Sequence, residues 1–451
     1  SAMNKLRVPE MDREKYDPYL TGIVGVLLGI LIAILILFIY QFQVSSDEIV
    51  DRASTLFRLY RPAIYLSFFS LLIAADISAF RKTGVNYILI FEMDPRLHMT
   101  SEHIWLFAIF SNIFVLLFFY IDMFLVISDG LLPVIMYSSL LLYIFNPLPI
   151  LQFEARFWIL GRIARSFSFG LLEVRFTDFW LADQFNSLAS FFTDIASVVC
   201  LLGRFGTKVV DDYSEIEITN LSKNNDIGNC SENAFIFLLT LGMVPPFMRF
   251  TQCVRRYLDT DQFWPHMWNA GKYLTGMIKV VCSALFIKYS DQTWSLVLYI
   301  LSHILASTAT ILWDYLKDWG FFNSSKNRWF CLSLRDELIL DHHYYYYFAI
   351  IENLIIRWIW ILAIILKYNK LIAEKDVVWT TLIFALLELL RRGIWNFIRL
   401  EHEHLHNCGD FRVMRRISFK KKDSEDDYEM LVKIMDRVDD DEIRRMNRKL
   451  V

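Results

Sequence analysis

One arginine occupies the middle of an apolar stretch. Arg357 lies within residues 344–366, about the length that a helix needs to cross a bilayer. A central arginine costs roughly 2.5–3.5 kcal/mol there, so it is expected to pair or to face water. Its planar fork of donors suits phosphate or carboxylate, and Trp360, three residues on, can restrict a path on the same helix face. The alternative is a structural ion pair with Glu352 or Glu388.

Two further apolar stretches carry acidic or amide residues. Asp183 and Asn186 lie in one, and Asp314 and Asp318 lie in the other. Four residues apart on a helix, Asp314 and Asp318 share a face, where they can hold basic side chains in competition with an anion. The alternative for this second pair is a solvated helix end.

Basic residues complete the set. Arg391 and Arg392 lie in a third apolar stretch, and consecutive residues point about 100° apart on a helix. One of them can therefore bind a solute while the other pairs with an acid or a lipid headgroup. Lys272 and Tyr273 open another stretch, where the lysine can equally be a snorkelling interface residue. Together these residues indicate a polar path lined by both signs of charge, which is typical of a pore or carrier for a charged solute.

Neither a metal site nor an enzyme is predicted. His402, His404 and His406 precede Cys408, but at helical spacing only His402 and His406 share a face. Residues 402–406 (HEHLH) have the HExxH spacing, but they lie beside Glu and Asn at a cytoplasmic helix end. No Walker lysine loop or GxSxG sequence occurs, so no motif indicates nucleotide-driven pumping or a serine hydrolase, and no cofactor is implied. Six cysteines without CxxC spacing indicate packing residues and no disulfide framework.

Composition places the chain in a membrane. Hydrophobic residues make up 55% of its 451 residues and charged residues 21%, with apolar stretches of spanning length repeated along the chain. The first, residues 19–40, is free of charge and too long for the core of a signal peptide, so it is expected to remain as an anchor. A net charge of −3 gives no reason to expect nucleic acid as a partner.

The predicted fold is an all-α polytopic membrane protein with about ten transmembrane helices and both termini cytoplasmic. In this topology the N-terminal segment and inner loops hold 18 Lys and Arg, against 9 in the outer loops. Pro245-Pro246 is expected to interrupt the sixth span. The predicted spans are residues 19–42, 62–80, 104–127, 131–150, 178–203, 233–248, 271–289, 293–316, 344–366 and 377–398.

Four regions follow from these spans. Residues 1–18 are predicted to be a cytoplasmic segment, 19–150 a scaffold of spans one to four, 151–417 a transport domain of spans five to ten, and 418–451 a charged cytoplasmic tail. The loop 204–232, with sequons at Asn220 and Asn229, is expected outside. Gly25 and Gly29 form a GxxxG in the first span, which serves either packing within the chain or a homodimer.

Six stretches in this order resemble the EXS family, which includes the membrane domain of the xenotropic and polytropic retrovirus receptor and of plant PHO-type phosphate exporters. They are residues 178–188 (DFWLADQFNSL), 249–257, 269–273, 313–320, 344–357 and 391–409. The resemblance implies an inorganic phosphate exporter that forms homodimers. It implies phosphate-coordinating roles for Asp183, Asn186, Lys272, Tyr273, Asp314, Asp318, Arg357, Arg391 and Arg392, with Trp360 as a gate.

The resemblance also bears on regulation and location. Members of the family usually carry an N-terminal SPX domain that senses inositol pyrophosphates, and residues 5–9 look like the segment just after it. Inositol pyrophosphate is therefore expected as a partner only through an SPX domain that this sequence lacks, in a truncated chain or in a member naturally without it. The plasma membrane is the predicted location and the Golgi membrane the alternative. A receptor or a trafficking adaptor for Golgi enzymes, with purely structural charges, is the alternative function.

Overall fold

A computed structural model describes residues 18–45, 47–94, 98–124, 131–196, 198–200, 234–322, 334–369 and 377–407. Within these ranges every regular element is helical. The helices are α1 (Pro18–Val44), α2 (Asp47–Thr83), α3 (Tyr87–Ile90), α4 (Ser101–Phe124), α5 (Leu131–Ile144), α6 (Phe153–Ser166), α7 (Phe176–Ser187), α8 (Ala234–Leu241), α9 (Val244–Thr260), α10 (Phe263–Lys288), α11 (Thr293–Trp313), a π-helical turn (Asp314–Asp318), α12 (Tyr344–Arg357), α13 (Ile359–Tyr368) and α14 (Val377–His406).

The all-α polytopic membrane fold is confirmed. Seven helical segments in the described ranges are long and apolar enough to cross a membrane, and they coincide with predicted spans one to three and six to nine. The other three predicted spans fall on the shorter helix α5, on α7 with the apolar segment Ala189–Cys200, and on the charged helix α14. The number ten therefore stays a prediction.

The prolines of the sixth span act at a helix start. α8 ends at Leu241, and Pro245 and Pro246 lie in the first turn of α9, where the missing backbone donor costs no helical hydrogen bond. The predicted interruption is thus confirmed. The predicted end at residue 248 is wrong, because helical structure continues to Thr260.

The ninth crossing is broken at its charged residue. Sequence periodicity predicts one continuous helix through Arg357, but α12 ends there and α13 begins after Trp358. The freed carbonyl of Arg357 accepts a hydrogen bond from Ser307 Oγ of α11 at 3.1 Å. Such breaks at membrane depth are tolerated where protein or a water-filled cavity covers the backbone.

Helix α14 lies against helices from both halves of the chain. Its Asn396 amide donates to Asp76 of α2 at 3.0 Å, and its side-chain carbonyl accepts from Gln184 of α7 at 3.0 Å. α14 also packs against α12, so one helix aligns the scaffold with the region of the predicted path. By contrast, α1 packs on α4 and leaves most of its apolar surface exposed, as expected of a helix that faces lipid.

One disulfide is present that the cysteine spacing did not predict. Cys200 is disulfide-bonded to a partner that lies outside the described residues. Disulfides form in oxidising compartments, which agrees with the outer position predicted for the loop that follows Cys200. The whole of that loop with its two sequons, residues 1–17, the tail 418–451 and Cys408 all lie outside the described residues.

The turn after the π-helical segment is held against the end of α14. Gly320 has a φ of +63°, and a Cβ there would overlap the His402 ring. His402 Nδ1 lies 2.9 Å from the Asp318 carbonyl, beyond the predicted tenth span, and burial, helped by the charges of Arg399 and Arg335, lowers the pKa of His402 to about 3. The imidazole is thus neutral and donates from Nδ1 at physiological pH.

Gly320→Ala is expected to lower the thermal stability of the purified protein. A side chain adds left-handed strain of about 1–3 kcal/mol and collides with His402. The matched control is Gly161→Ala, because Gly161 lies in α6 with nothing within 4 Å of its Cβ position. Thermal unfolding in detergent is the measurement. Equal unfolding midpoints for the two variants would contradict this assignment.

Candidate functional site

One arginine of α14 is fully committed to neighbouring groups. Arg391 donates from Nε and Nη2 to the two oxygens of Glu388, at 2.8 and 2.6 Å, and its side chain is completely buried. Ser187 of α7 donates to the same carboxylate at 2.8 Å. Arg391 therefore fixes α14 against α7, and its donors are largely used.

Asp314 gathers donors from two other elements. It accepts from Arg357 Nη2 at 3.2 Å, from Trp395 Nε1 at 3.2 Å and from Asn353 Nδ2 at 3.4 Å. Arg391 Nη1 is 3.9 Å away. The carboxylate that pairs with Arg357 is thus Asp314, not the glutamates considered from sequence.

Two groups near this carboxylate keep unused hydrogen-bonding capacity. Arg357 Nε and both carboxylate oxygens of Glu352 are buried without a hydrogen-bond partner in the part of the chain that the structure describes. The Arg357 side chain retains 18% exposure. Arg357 is therefore held by one carboxylate and can still offer donors to a ligand.

A second buried cluster joins α7, α9 and α10. Arg249 donates from Nε to Asp183 at 2.8 Å, and the Tyr273 hydroxyl donates to the same oxygen at 2.5 Å. Arg249 Nη1 donates to Gln252 at 2.9 Å. Sequence reasoning did not assign Arg249, because the predicted span ended at residue 248; its spacing of three from Gln252 was the available signal.

Lys272 lies between the two clusters. Its ammonium is 4.3 Å from the ring centroid of Tyr273 and 5.3 Å from that of Trp313. It interacts electrostatically with Asp318, Asp183 and Asp314. Yet no described carboxylate lies within ion-pair distance of it. Its ammonium thus lies between its own neighbour Tyr273 and Trp313 of α11, a position inside the protein that favours the path over the snorkelling alternative.

Arg392 contrasts with its neighbour. It is only 5% exposed, donates from Nε to Ser187 at 2.7 Å, and lies 4.3 Å from the Trp395 ring centroid. Among the described residues no carboxylate pairs with it, and its terminal nitrogens make no hydrogen bond. The two arginines therefore differ: Arg391 pairs with an acid, as expected of one of them, and the terminal nitrogens of Arg392 have no described partner.

The remaining predicted residues are less closely joined to these clusters. Asp318 is 3.9 Å from Arg399 Nε and so faces the end of α14, although it follows Asp314 by one turn. Asn186 donates back to Ala182 of its own helix at 3.0 Å. Trp360 lies in the first turn of α13, and its Nε1 is buried without a described partner.

The arrangement suits a tetrahedral oxyanion. Lys272, Arg357 and Arg392 each keep a donor without a hydrogen-bond partner among the described residues, and guanidinium groups bind such oxygens through paired hydrogen bonds. A metal fits less well, since the described ranges contain no group of three or more His, Cys, Asp or Glu able to hold an ion. The His402 and His406 rings, 5.2 Å apart, form a contact of two residues only.

Comparison with known proteins covers nearly the whole chain. Residues 56–405 match the EXS family. The chain is 34% identical over 458 residues to solute carrier family 53 member 1 of Homo sapiens, covering 99% of this chain and 64% of that protein. It is 33% identical over 453 residues to the xenotropic and polytropic retrovirus receptor 1 homolog of Danio rerio, covering 97% and 63%. The chain thus spans slightly less than two thirds of these relatives.

Arg391→Ala is expected to destabilise the protein far more than Arg392→Ala. The first variant removes a completely buried guanidinium and leaves the carboxylate of Glu388, which is 27% exposed, without its partner, a loss of up to about 3 kcal/mol. The second removes a cation that no described carboxylate balances. Thermal unfolding in detergent and the monodisperse fraction after heating are the measurements. Equal losses in the two variants would show that Arg392 is also a structural cross-link.

Proposed function

The chain belongs to the EXS family, and on that premise we propose that it exports inorganic phosphate across a membrane, through a polar path among the helices of residues 151–417. The observation that carries the proposal is Arg392, a guanidinium at 5% exposure without a carboxylate partner among the described residues. A buried cation of this kind is stable only if an anion or water completes its surroundings.

The path needs no chemical step. Phosphate at neutral pH carries one to two negative charges, and an inside-negative potential favours its exit by about 2.3 kcal/mol per charge per 100 mV. A selective and gated path is therefore sufficient for export, and a non-enzymatic role is part of this proposal.

The side chains take different roles in this mechanism. Arg392, Lys272 and Arg357 replace part of the hydration shell of phosphate, and Asp314 competes with the anion for Arg357, which prevents binding that is too tight for release. The other residues assigned by resemblance position these donors or border the path, with Trp360 as the gate: Asp183, Asn186, Tyr273, Asp318 and Arg391.

A receptor or trafficking adaptor is the second candidate. It is favoured by the ion pairs of Arg391, Arg249 and Arg357 with carboxylates, since purely structural charges would be paired in this way. One relative carries a receptor in its name. For both candidate functions we propose that the protein is a homodimer. Its proposed location is the plasma membrane, with the Golgi membrane as the alternative.

Arg392→Gln and Arg357→Ala are expected to reduce phosphate efflux about tenfold or more, because each removes charged donors worth about 1.5–3 kcal/mol. The assay is release of labelled phosphate from liposomes that contain the purified full chain. The control is Arg255→Ala, which breaks an exposed ion pair with Asp259 outside both clusters. Thermal stability is measured in parallel to exclude unfolding.

Two results would overturn the proposal. Unchanged efflux in both variants would remove the arginines from the path. Absence of any phosphate release by the folded wild-type protein would favour the receptor or adaptor.

A further inference from the structure

A second pair of nitrogen-bearing side chains lies beyond the clusters described above. Lys279 follows Lys272 by seven residues on α10, and His303 precedes Asp314 by eleven on α11. Both spacings return to nearly the same helix face. At 1.5 Å per residue the displacements are about 10 and 16 Å along the helices. The faces that carry Lys272 and Asp314 therefore continue through the membrane to this second level.

Lys279 is a membrane lysine without an ion-pair partner among the residues that the structure describes. It lies inside the candidate span Phe263–Lys288 and is half-buried. It interacts electrostatically with Arg357, which repels it, and with Glu388, which Arg391 already holds. Within the described residues no carboxylate reaches ion-pair distance of its ammonium. A lysine so placed requires water or an anion.

His303 offers the complementary group, an acceptor. The imidazole is 8% exposed, and its Nδ1 lies 2.8 Å from the carbonyl of Tyr299. A carbonyl only accepts, so Nδ1 carries the proton. In the neutral ring Nε2 is then an acceptor. The neutral form is expected because the ring is buried and, in the ranges that the structure describes, no carboxylate pairs with it.

This pair adjoins the predicted gate. The His303 ring lies 5.2 Å from the ring of Trp360 and 3.9 Å from that of Tyr299, measured between centroids. The buried Nε1 of Trp360 has no described hydrogen-bond partner. An anion that passes Trp360 therefore meets an indole and a nitrogen acceptor. Lys279 lies on α10, which packs against the helix of His303, and its charge acts on His303.

Given the phosphate path proposed above, we propose that Lys279 and His303 form a second anion-binding site beside Trp360 that selects protonated tetrahedral oxyanions. The Lys279 ammonium donates to an unprotonated oxygen of the anion, and His303 Nε2 accepts a hydrogen bond from its hydroxyl. Both common forms of phosphate carry such a hydroxyl at neutral pH, as does arsenate. Sulfate carries none, so it would leave Nε2 unpaired, and sites that leave a buried polar group unpaired reject a ligand strongly.

The test measures phosphate release from liposomes that contain the purified full chain, with arsenate or sulfate added as a competitor inside. Wild-type release is expected to fall with arsenate and to be insensitive to sulfate. His303→Leu, which removes the acceptor, is expected to narrow the arsenate-to-sulfate discrimination about tenfold or more. His303→Gln keeps an acceptor oxygen and should therefore retain part of the discrimination between arsenate and sulfate. Lys279→Met should slow phosphate release and weaken competition by arsenate, whereas Lys288→Met, at the exposed end of the same helix, should change neither.

The outcomes separate the second site from the path itself. If the wild-type protein releases no phosphate, the proposed path fails and the second site fails with it. If wild-type release occurs but Lys279→Met and His303→Leu keep its rate and its discrimination, the second site is overturned and the path stands. If His303→Leu does not fold, Lys279→Met and His303→Gln decide the question by the same two readouts.

Discussion

A carboxylate inside a membrane needs donors on every side, and Asp314 obtains them from two neighbouring crossings. Arg357 and Asn353 reach it from the ninth crossing and Trp395 from the tenth. The carboxylate is only 2% exposed, so loss of these donors would strand a charge in a poorly hydrated interior. Three helices are thereby aligned by one charge, and in the path that we propose the buried arginines are positioned relative to this alignment.

The buried cations fall into two groups with different consequences. Arg391 and Arg249 are tied to carboxylates and hold helices together, whereas Lys272 and Arg392 have no carboxylate within ion-pair distance in the described ranges. A conducting path must bind its solute strongly enough to admit it and weakly enough to release it. In the path that we propose, the paired cations fix the positions of the helices and the unpaired cations bind the anion. Arg357 is intermediate between the two groups, because its Nη2 donates to Asp314 while its Nε has no hydrogen-bond partner among the described residues.

The sequence predicts what depends on composition and fails where single residues interact across helices. Apolar stretches of spanning length predict the all-α membrane fold, and the energetic cost of a charge within one of them singles out Arg357. The break after it and the π-helical turn at Asp314–Asp318 were missed, because each departs from helical periodicity by about one residue. Arg249 was missed because a hydropathy window ends where polar residues begin, although the helix continues. The disulfide of Cys200 was missed because cysteine spacing alone does not reveal pairing in a polytopic protein.

The π-helical turn determines the direction in which the residues after it face about the helix axis. Its backbone bond runs from Trp319 N to Asp314 O at 2.8 Å, five residues apart, so it holds one residue more than an α-helical turn. Shortening it by one residue would turn the following backbone by about 100°. The close contact between Gly320 and the His402 ring would then be lost. The hydrogen bond of 2.9 Å from Arg335 Nη1 to the Trp319 carbonyl would be lost as well. The eighth crossing is consequently intolerant of a single-residue deletion at this point.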